Sequence, residues 1–423
     1  MHEVFNACLL AISALLFAIG LAGLVALTKG YRHLRCARMD RTLEDQNLLM
    51  KSPLVPPLSM LAVVRDASQE SREFVRRLLN VHYSSVETIL VLDGLSDPDL
   101  ETWKTAYRLA VSSRAFSTTL PAARIRCIYE ARDANRLIVV AKDAGGNADS
   151  LNAGVNVARS PLIGLVECGS EFQTDCFLRL VQPILEDSAQ TVAACGMAPG
   201  PAGTGICAGF SALECLRAWL SCCGWKGKGN PIPAIPGSSL LISREAVMEA
   251  GGFRTGLLEF FVRLQAGASS ASKPPRVIFV PEPLSYRGLA KKFGELRDAV
   301  LARQRQIASA VRWPSLLSRP IICLLTLRVL RPALETATYI MTAIGAAAGW
   351  IDLYTAAFVA ISTIGMGILQ SMSSVVLREL AEPGLFSPGQ LAGLFLTSIP
   401  ENLGYRQLRN FWMMAGLAPD RRV

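Results

Sequence analysis

The feature that most constrains this chain is an uncharged run of 24 residues near its start, from Phe5 to Thr28. At ~1.5 Å per helical residue the run extends about 36 Å, enough for a helix to cross a hydrocarbon core of about 30 Å. A cleaved secretory signal would need a basic start and a shorter apolar core, whereas this chain begins Met-His-Glu. The run therefore predicts an uncleaved membrane anchor.

The residues directly after this run carry positive charge. Within a few helical turns come five basic residues and a single acid, Asp40: Lys29, Arg32, Arg35, Arg38 and Arg41. Basic residues beside a spanning helix are typical of the cytoplasmic side. We therefore expect the N-terminus outside and the following segment in the cytoplasm.

A second apolar region lies in the C-terminal third. Leu353–Leu377 has no charge over 25 residues, and Pro332–Ile351 is apolar apart from Glu335. The link between the two segments is very short, so they are expected to form a transmembrane hairpin. Its flanks carry Arg328, Arg331 and Arg378, which places both ends of the hairpin in the cytoplasm.

Composition and charge exclude several protein classes. The 423 residues are 51% hydrophobic and 18% charged, whereas soluble domains carry about a quarter charged residues. Disorder, collagen-like repeats and nucleic-acid tails are excluded. The net charge of +9 would suggest polyanion binding in a soluble protein, but the placement of the basic residues matters more than their sum, and a lipid membrane is the expected partner. The eleven cysteines include no CxxC pair, which indicates a reduced compartment and no zinc site.

The central segment alternates strands and helices. A mainly parallel α/β sheet is expected, because its apolar strands are continuous. The predicted strands are Ser59–Val64, Glu87–Leu92, Arg126–Glu130 and Leu162–Val166, and the predicted helices are Gln69–Leu79, Ala148–Ala158 and Asp175–Leu185. Ligands of such sheets bind at the carboxyl ends of the strands.

Three polar segments lie at such strand ends. Asp93–Asp97 follows one strand, Glu167–Glu171 follows another, and the Gly-rich segment Gly145–Gly154 leads into a helix. Asp, Ser and Gly are also ordinary turn and cap residues. Both readings, turn and ligand site, stay open for each segment.

The ordered set of motifs resembles membrane-anchored family 2 glycosyltransferases, the cellulose, hyaluronan and poly-N-acetylglucosamine synthases among them. The matches are VLDGLSD (Val91–Asp97), GGNADSLNAGVNVA (Gly145–Ala158), GGF (Gly251–Phe253), Glu335 and ENLGYRQL (Glu401–Leu408). The resemblance implies a cytoplasmic GT-A-like nucleotide-sugar domain with one N-terminal and about two C-terminal transmembrane helices, in the inner membrane.

The expected organisation follows from the apolar runs and this resemblance. It comprises an anchor (1–28), a basic linker (29–52), a GT-A-like domain (53–313), an interfacial helix (314–331), a transmembrane hairpin (332–377) and a cytoplasmic or interfacial tail (378–423).

The resemblance also implies site residues. Six positions are expected to contact the nucleotide: Asp93, Gly94, Asp97, Gly146, Asn147 and Asn152. A working enzyme of this kind uses a UDP-sugar with Mg²⁺ or Mn²⁺, which neutralises the diphosphate leaving group.

The catalytic motifs of the family are altered here. The metal-binding Asp-x-Asp corresponds to Glu167-Cys168-Gly169. The second ligand position, Gly169, has no side-chain oxygen, although Glu171 follows two residues later. The Thr-Glu-Asp motif that supplies the base corresponds to Thr255-Gly256-Leu257. Leu257 cannot accept a proton, and Glu259 is the nearest carboxylate.

The acceptor motif Gln-x-x-Arg-Trp is altered as well. Ala299–Arg303 has neither the Gln nor the Trp in place, and Arg312-Trp313 is a candidate shifted remnant that binds the acceptor.

Three functions remain open from the sequence. The first is a degenerate glycosyltransferase that partners an active polysaccharide synthase or other export subunits. The second is an active transferase that moves a sugar from a UDP-sugar to a glycan or lipid acceptor, with Glu167 and Glu171 on the metal and Glu259 as base. The third is a lipid-handling or transport protein without nucleotide chemistry. No nucleic-acid partner is expected.

Overall fold

The computed structural model describes residues 2–39, 52, 54–132, 136–196, 198–199, 205–224, 239–267, 275–280, 285–311, 322 and 325–417. Its strands are β1 (Leu58–Val64), β2 (Val86–Asp93), β3 (Leu109–Val111), β4 (Ile125–Ala131), β5 (Leu137–Lys142), β6 (Leu162–Val166), β7 (Glu171–Phe172), β8 (Thr191–Gly196), β9 (Ala198–Pro199), β10 (Ser239–Ser243), β11 (Arg276–Phe279) and β12 (Ser285–Arg287).

The helices are α1 (His2–Met39), α2 (Gln69–Leu79), α3 (Asp97–Tyr107), α4 (Asn147–Val157), α5 (Cys176–Glu186), α6 (Ile206–Cys223), α7 (Arg244–Glu249), α8 (Leu257–Gly267), α9 (Phe293–Val311), α10 (Arg331–Ala347), α11 (Leu353–Ala360), α12 (Met366–Ala381), α13 (Pro388–Pro400) and α14 (Arg406–Ala415). Three π-helical turns, Thr326–Leu330, Ile361–Gly365 and Glu401–Tyr405, precede α10, α12 and α14.

The chain divides into two compact units. The sheet unit comprises residues 40–198 and 235–288, and the helical unit comprises residues 1–39, 199–234 and 289–423. The predicted boundaries at residues 53 and 313 stay predictions.

The sheet unit contains a nine-stranded sheet with the order β11-β8-β10-β6-β1-β2-β5-β4-β3. Four adjacent strands, β6, β1, β2 and β5, are parallel, as the continuous apolar runs predict. The predicted strand at 126–130 is present as β4, but it runs antiparallel to β5. A short second sheet has the order β7-β12-β9.

The parallel strands are buried on both faces, because helices cover both sides. Phe74 of α2, Trp103 of α3 and Phe177 of α5 belong to one buried cluster with strand residues such as Leu90. On the other face Gly154 of α4 lies so close to Leu61 that an added Cβ would be 3.1 Å from its methyl groups. Successive strand residues therefore pack against different helices.

At the amino end of the sheet, a buried ion pair ties α4 to β2. Glu87 Oε2 accepts from Arg114 Nη2 at 2.7 Å, and Oε1 accepts from Ser59 Oγ at 2.5 Å and from the Arg159 amide at 2.9 Å. Arg114 Nε also donates to the Val157 carbonyl at the end of α4. Burial opposes the charge of Glu87, but these hydrogen bonds outweigh it and lower its pKa.

The lowered pKa of Glu87 predicts a pH-dependent contribution to stability. The carboxylate stabilises the fold above its unfolded pKa, about 4.3, and this stabilisation is lost as pH falls through the lower folded pKa. In the Glu87→Gln variant the loss of thermal stability should be clear at pH 7 and should shrink below about pH 4. Thermal unfolding of the purified full chain across this range measures the effect, and a pH-independent difference would contradict it.

Among the described residues, three helices are by length and composition apolar enough to cross a membrane: His2–Cys36, Ile206–Cys223 and Leu353–Ala381. The first contains the predicted anchor and the third contains the second arm of the predicted hairpin. The first arm forms α10, which has 17 residues with a buried Glu335 and is not among the three. The sequence reasoning missed α6 as a candidate span, since it lies within the region expected to be globular.

The helical unit packs α1 and α6 closely. A Cβ added at Gly30 of α1 would collide with the Leu220 carbonyl of α6, so only glycine permits this approach. His33 Nδ1 lies 3.1 Å from the Cys223 carbonyl, and Gln370 of α12 donates to the Gly20 carbonyl at 2.6 Å. Close backbone contacts and polar side chains therefore connect these apolar helices.

Candidate functional site

The carboxyl ends of β1, β2, β5 and β6 meet at one side of the sheet unit, and the loops that follow them define what we call the carboxyl edge (residues 65–68, 93–96, 143–146 and 167–170). The edge brings together four of the predicted nucleotide residues: Asp93, Gly94, Gly146 and, at the start of α4, Asn147. Strand ends of this kind are where α/β sheets bind ligands.

Asp93 anchors the Gly-rich loop. Its Oδ1 accepts from Lys142 Nζ at 2.9 Å and from the Gly145 amide at 2.9 Å, and its Oδ2 accepts from the Gly146 amide at 3.2 Å. Burial disfavours the charge of this carboxylate, whose side chain is 5% exposed, but these bonds outweigh burial and lower its pKa. The carboxylate is therefore ionised and already bound within the chain.

Lys142 is a central residue of the edge that the sequence reasoning missed. Its fully buried ammonium lies 2.9 Å from Asp93 and 2.5 Å from Asp149 Oδ1, and it donates to the Asp143 carbonyl at 2.7 Å. Asp149 also accepts from the Ala123 amide at 2.7 Å. The available signal was the lone lysine that ends the apolar run Leu137–Ala141, which was not predicted as a strand.

Two glycines of the edge, Gly94 and Gly146, have the positive φ angles that favour glycine in turns, in agreement with the turn interpretation of the sequence. Gly94 has φ +67°, and a Cβ there would lie 2.6 Å from the Ala144 Cβ. Gly146, with φ +87°, precedes α4 without a side-chain cap, and nothing lies within 4 Å of an added Cβ. The start of α4 at Asn147 is therefore open to a ligand, and amide groups at a helix start suit a phosphate.

The predicted residue Asn152 is buried away from the edge. Its Nδ2 donates to the Pro121 and Phe253 carbonyls, both at 2.9 Å, and its Oδ1 accepts from the Phe253 amide at 2.8 Å. These contacts fasten the GGF turn to α4. The structure gives Asn152 a structural role.

Loss of these three hydrogen bonds predicts a stability effect. Asn152→Ala should lower the free energy of unfolding by about 2–4 kcal/mol, because buried partners are left unsatisfied at about 1–3 kcal/mol each. Asn147→Ala, at an exposed position of the same helix, is the matched control and should change stability by roughly 0.5 kcal/mol or less. Thermal unfolding compares the two variants; equal effects would contradict the assignment.

The remaining predicted nucleotide residue, Asp97, is the first residue of α3. Its side chain is 93% exposed, and its carboxylate lies 4.0 Å from Arg126. Arg126 also lies 3.0 Å from Asp143, and Arg65 lies 3.6 Å from Asp93. With 62% of its side chain exposed, Arg65 is a cation of the edge that can contact an anion.

The candidate metal ligands do not form a cluster. Glu167 is exposed directly after β6, and Gly169, with φ +82°, continues this turn. Glu171 lies in β7, is 72% exposed and has Arg77 at 4.0 Å. Among the described residues, no three His, Cys, Asp or Glu side chains are placed to hold a metal ion. Mg²⁺ at a nucleotide takes one or two protein carboxylates together with phosphate oxygens and waters, so Glu167 and Glu171 remain the candidate ligands in this part of the chain.

The candidate base positions lie at the start of α8. Leu257 is the first residue of this helix and has no proton acceptor. Glu259 is buried and pairs with Arg263 Nε at 2.8 Å, while Arg263 donates to the carbonyls of Ala250 and Gly252. This pair holds the turn before Phe253 in place. The candidate acceptor residues Arg312 and Trp313 lie outside the described residues.

Comparisons with known proteins place the fold. The structure matches a mannosyltransferase, PcManGT from Pyrobaculum calidifontis, solved with GDP-Man and Mn²⁺, with a TM-score of 0.51 and 14% identity over 92% of this chain and 99% of that chain. It also matches residues 1–349 of TarS from S. aureus, solved with UDP-GlcNAc, with a TM-score of 0.39 and 11% identity over 83% and 92%.

The first of these matches shows that the chain has a glycosyltransferase fold of the mixed α/β type. No protein-family model matches the sequence, and no curated protein matches it.

Proposed function

We propose that this chain is a membrane-anchored, catalytically degenerate family 2 glycosyltransferase of an exopolysaccharide system. In this proposal it binds a nucleotide at the carboxyl edge, transfers no sugar, and acts as the partner of an active polysaccharide synthase in the inner membrane. Lys29, Arg32 and Arg35, in the C-terminal part of α1 beyond the uncharged run, support a cytoplasmic sheet unit.

The observation that carries the proposal is that carboxylates at the carboxyl edge are already hydrogen-bonded to other groups of the chain. Asp93 is bound by Lys142 and two amides, and Asp66 accepts from the Ser71 hydroxyl at 2.6 Å and the Ser68 amide at 3.1 Å. The Ser71 hydrogen bond is the main reason for the lowered pKa of Asp66. These carboxylates stabilise loops of the chain itself, and Leu257 occupies the position expected for the base.

Nucleotide binding is proposed because the carboxyl edge has an exposed cation and an exposed helix start, and both can contact an anion. Arg65 is largely exposed, and α4 begins at an exposed Asn147 with open space in front of Gly146. A guanidinium and a helix start both favour a diphosphate. Binding would therefore need no metal ion.

Calorimetry on the full chain, purified in detergent, tests nucleotide binding. UDP and GDP are titrated with and without Mn²⁺ into the wild type, Arg65→Gln and the control Glu101→Gln, whose side chain is exposed on α3. We expect binding that is independent of Mn²⁺ and weakened roughly tenfold in Arg65→Gln alone. Absence of binding by folded protein would contradict the nucleotide site.

Genetic complementation tests the degenerate state. Deletion of the gene is expected to reduce polymer export, and the Glu167→Gln/Glu171→Gln variant should restore export as well as the wild type does. The purified chain should release no nucleotide from UDP-sugars or GDP-mannose. Sugar transfer by the purified wild type that this double variant loses would establish the active alternative instead.

A further inference from the structure

The charged side chains of the last two helices face the interior of the helical unit. Residues 388–416, which the structure describes without a gap, comprise α13, the π turn Glu401–Tyr405 and α14. This segment contains three charged residues, and each pairs with a charge on another helix: Glu401 with Arg217 of α6 (2.8 Å), Arg406 with Glu335 of α10 (3.0 Å) and Arg409 with Glu214 of α6 (3.3 Å). Glu401 and Arg406 are buried and Arg409 is half-buried.

The exposed residues of the same segment carry no charge. Its large exposed side chains, which we call the apolar face, are Leu396, Ile399, Leu403, Leu408, Phe411 and Met414. A helix that faces water has the reverse pattern, with charged residues outside and apolar residues inside. Charged residues that pair toward the interior of a helix bundle are typical of segments within a membrane.

A break in the helix lies within the apolar face. Leu403 has φ −109° and ψ 62°, and Gly404 has φ 141°, which favours glycine. Nearby side chains hydrogen-bond to the backbone around the break. The Gly404 amide donates to Gln407 Oε1 at 2.7 Å, Gln407 Nε2 donates to the Asn402 carbonyl at 3.0 Å, and Asn402 Nδ2 donates to the Ser398 carbonyl at 2.9 Å. Backbone that faces hydrocarbon needs such partners within the protein, because no water is present there.

The segment packs on a helix that is itself a candidate membrane span. Leu394 of α13 belongs to one buried cluster with Val375 of α12, and α12 is part of the candidate span Leu353–Ala381. The exposed residues of α12 are likewise uncharged: Leu369, Val376 and Leu380. Helices in contact with each other therefore present uncharged, largely apolar surfaces.

We propose that the apolar face contacts the acyl chains of membrane lipids, so that α13 and α14 are embedded in the membrane together with α12. The sequence predicts a cytoplasmic or interfacial tail from residue 378 onward, and this proposal replaces that prediction for residues 388–416. It rests on the membrane location given in the proposed function, but it is independent of nucleotide binding and of the loss of catalysis.

Lipid fits this surface better than a soluble protein partner does. An interface with a soluble protein has a polar rim around its apolar centre, whereas the charged residues of this segment are all paired inward. A second copy of this chain would also cover apolar side chains, and the experiment must distinguish it from lipid.

Photo-crosslinking of the full chain, purified and reconstituted in vesicles of phosphatidylcholine and phosphatidylglycerol, tests the proposal. The photoreactive residue p-benzoylphenylalanine replaces Leu396 in one variant and Phe411 in another, since these side chains are 69% and 65% exposed. Leu369 of α12 is the control position for a candidate span, and Glu101 of α3, 66% exposed, is the control position in the sheet unit. Mass spectrometry identifies phospholipid adducts, and gel electrophoresis identifies crosslinked pairs of chains.

We expect phospholipid adducts at positions 396 and 411 with yields similar to the yield at position 369. These yields should exceed the yield at position 101 by roughly tenfold or more, because a probe outside the hydrocarbon core has no acyl chain within reach. The expected adducts join the probe to the acyl chains rather than to the headgroups.

Three results would overturn the proposal. Adducts at position 369 without adducts at positions 396 and 411 would place the apolar face outside the lipid while α12 stays within it. Crosslinked pairs of chains at 396 and 411 in place of lipid adducts would show that a second copy covers the face. Absence of lipid adducts at 369 as well would contradict the membrane location in the proposed function, and this inference with it.

Discussion

Replacing Lys142 by methionine is expected to lower the free energy of unfolding by about 3–5 kcal/mol. Asp93 and Asp149 both lie within 2.9 Å of the Lys142 ammonium, so the variant leaves two neighbouring carboxylates without their cation. Thermal or denaturant unfolding of the purified chain at pH 7 measures this loss.

The pH dependence identifies the cause of the Lys142 effect. In the wild type Lys142 is the main hydrogen-bond partner that lowers the pKa of Asp93, so this stabilisation is present above the unfolded pKa of about 3.9 and is lost as pH falls through the folded pKa. The difference between wild type and Lys142→Met should therefore shrink as pH falls from 7 to below about 4.

A second variant controls for the loss of packing at Lys142. Lys142→Met leaves the carboxylates of Asp93 and Asp149 without their cation. The double variant Lys142→Met/Asp93→Asn removes one of these two charges and should recover part of the lost stability. If the double variant is less stable than Lys142→Met, the charge explanation is wrong and the shape of the lysine side chain is the important property.

Replacing Glu335 by leucine is expected to cost a similar amount, about 3–5 kcal/mol. Glu335 is buried in α10 and accepts from Arg331 Nε at 3.0 Å, Arg406 Nε at 3.0 Å and Asn410 Nδ2 at 2.8 Å. Its removal leaves two arginine side chains of the helical unit without this acid. Thermal unfolding in detergent measures the effect.

Two further variants separate charge from packing at Glu335. Glu335→Leu/Arg406→Leu should be more stable than Glu335→Leu, because a matched apolar pair can replace a buried ion pair. Thr336→Ala, on the same helix, is the control: its hydroxyl donates only to the Pro332 carbonyl of that helix, so a loss of about 1 kcal/mol or less is expected. A double variant no better than Glu335→Leu would contradict the charge argument.

The sequence predicted much of the sheet unit. The helix Gln69–Leu79 and the strand Leu162–Val166 have the predicted bounds, and the other predicted elements are present within one residue at each end. Apolar runs of five to seven residues bounded by turn residues carry this information locally. The direction of β4 was not predictable in the same way, because a single strand has the same pattern in either direction.

The candidate site was predictable in position but not in the use of its residues. The sequence placed Asp93 and Gly146 at strand ends, where the structure has them. It could not show that Lys142 and two backbone amides donate hydrogen bonds to Asp93. Nor could it show that Asn152 donates a hydrogen bond to Phe253, which lies 101 residues further along the chain. Those pairings depend on which strands are neighbours in the sheet.

The sequence by itself determined the apolar helices, the alternation of the α/β unit and the altered catalytic motifs, since these depend on residue type and local spacing. Only the tertiary structure decided that α6 belongs with α1 to the helical unit and that Arg409 of α14 pairs with Glu214 of α6. Glu214 and Arg409 lie on elements far apart in the chain, and their pairing depends on helix packing, which no local sequence pattern specifies.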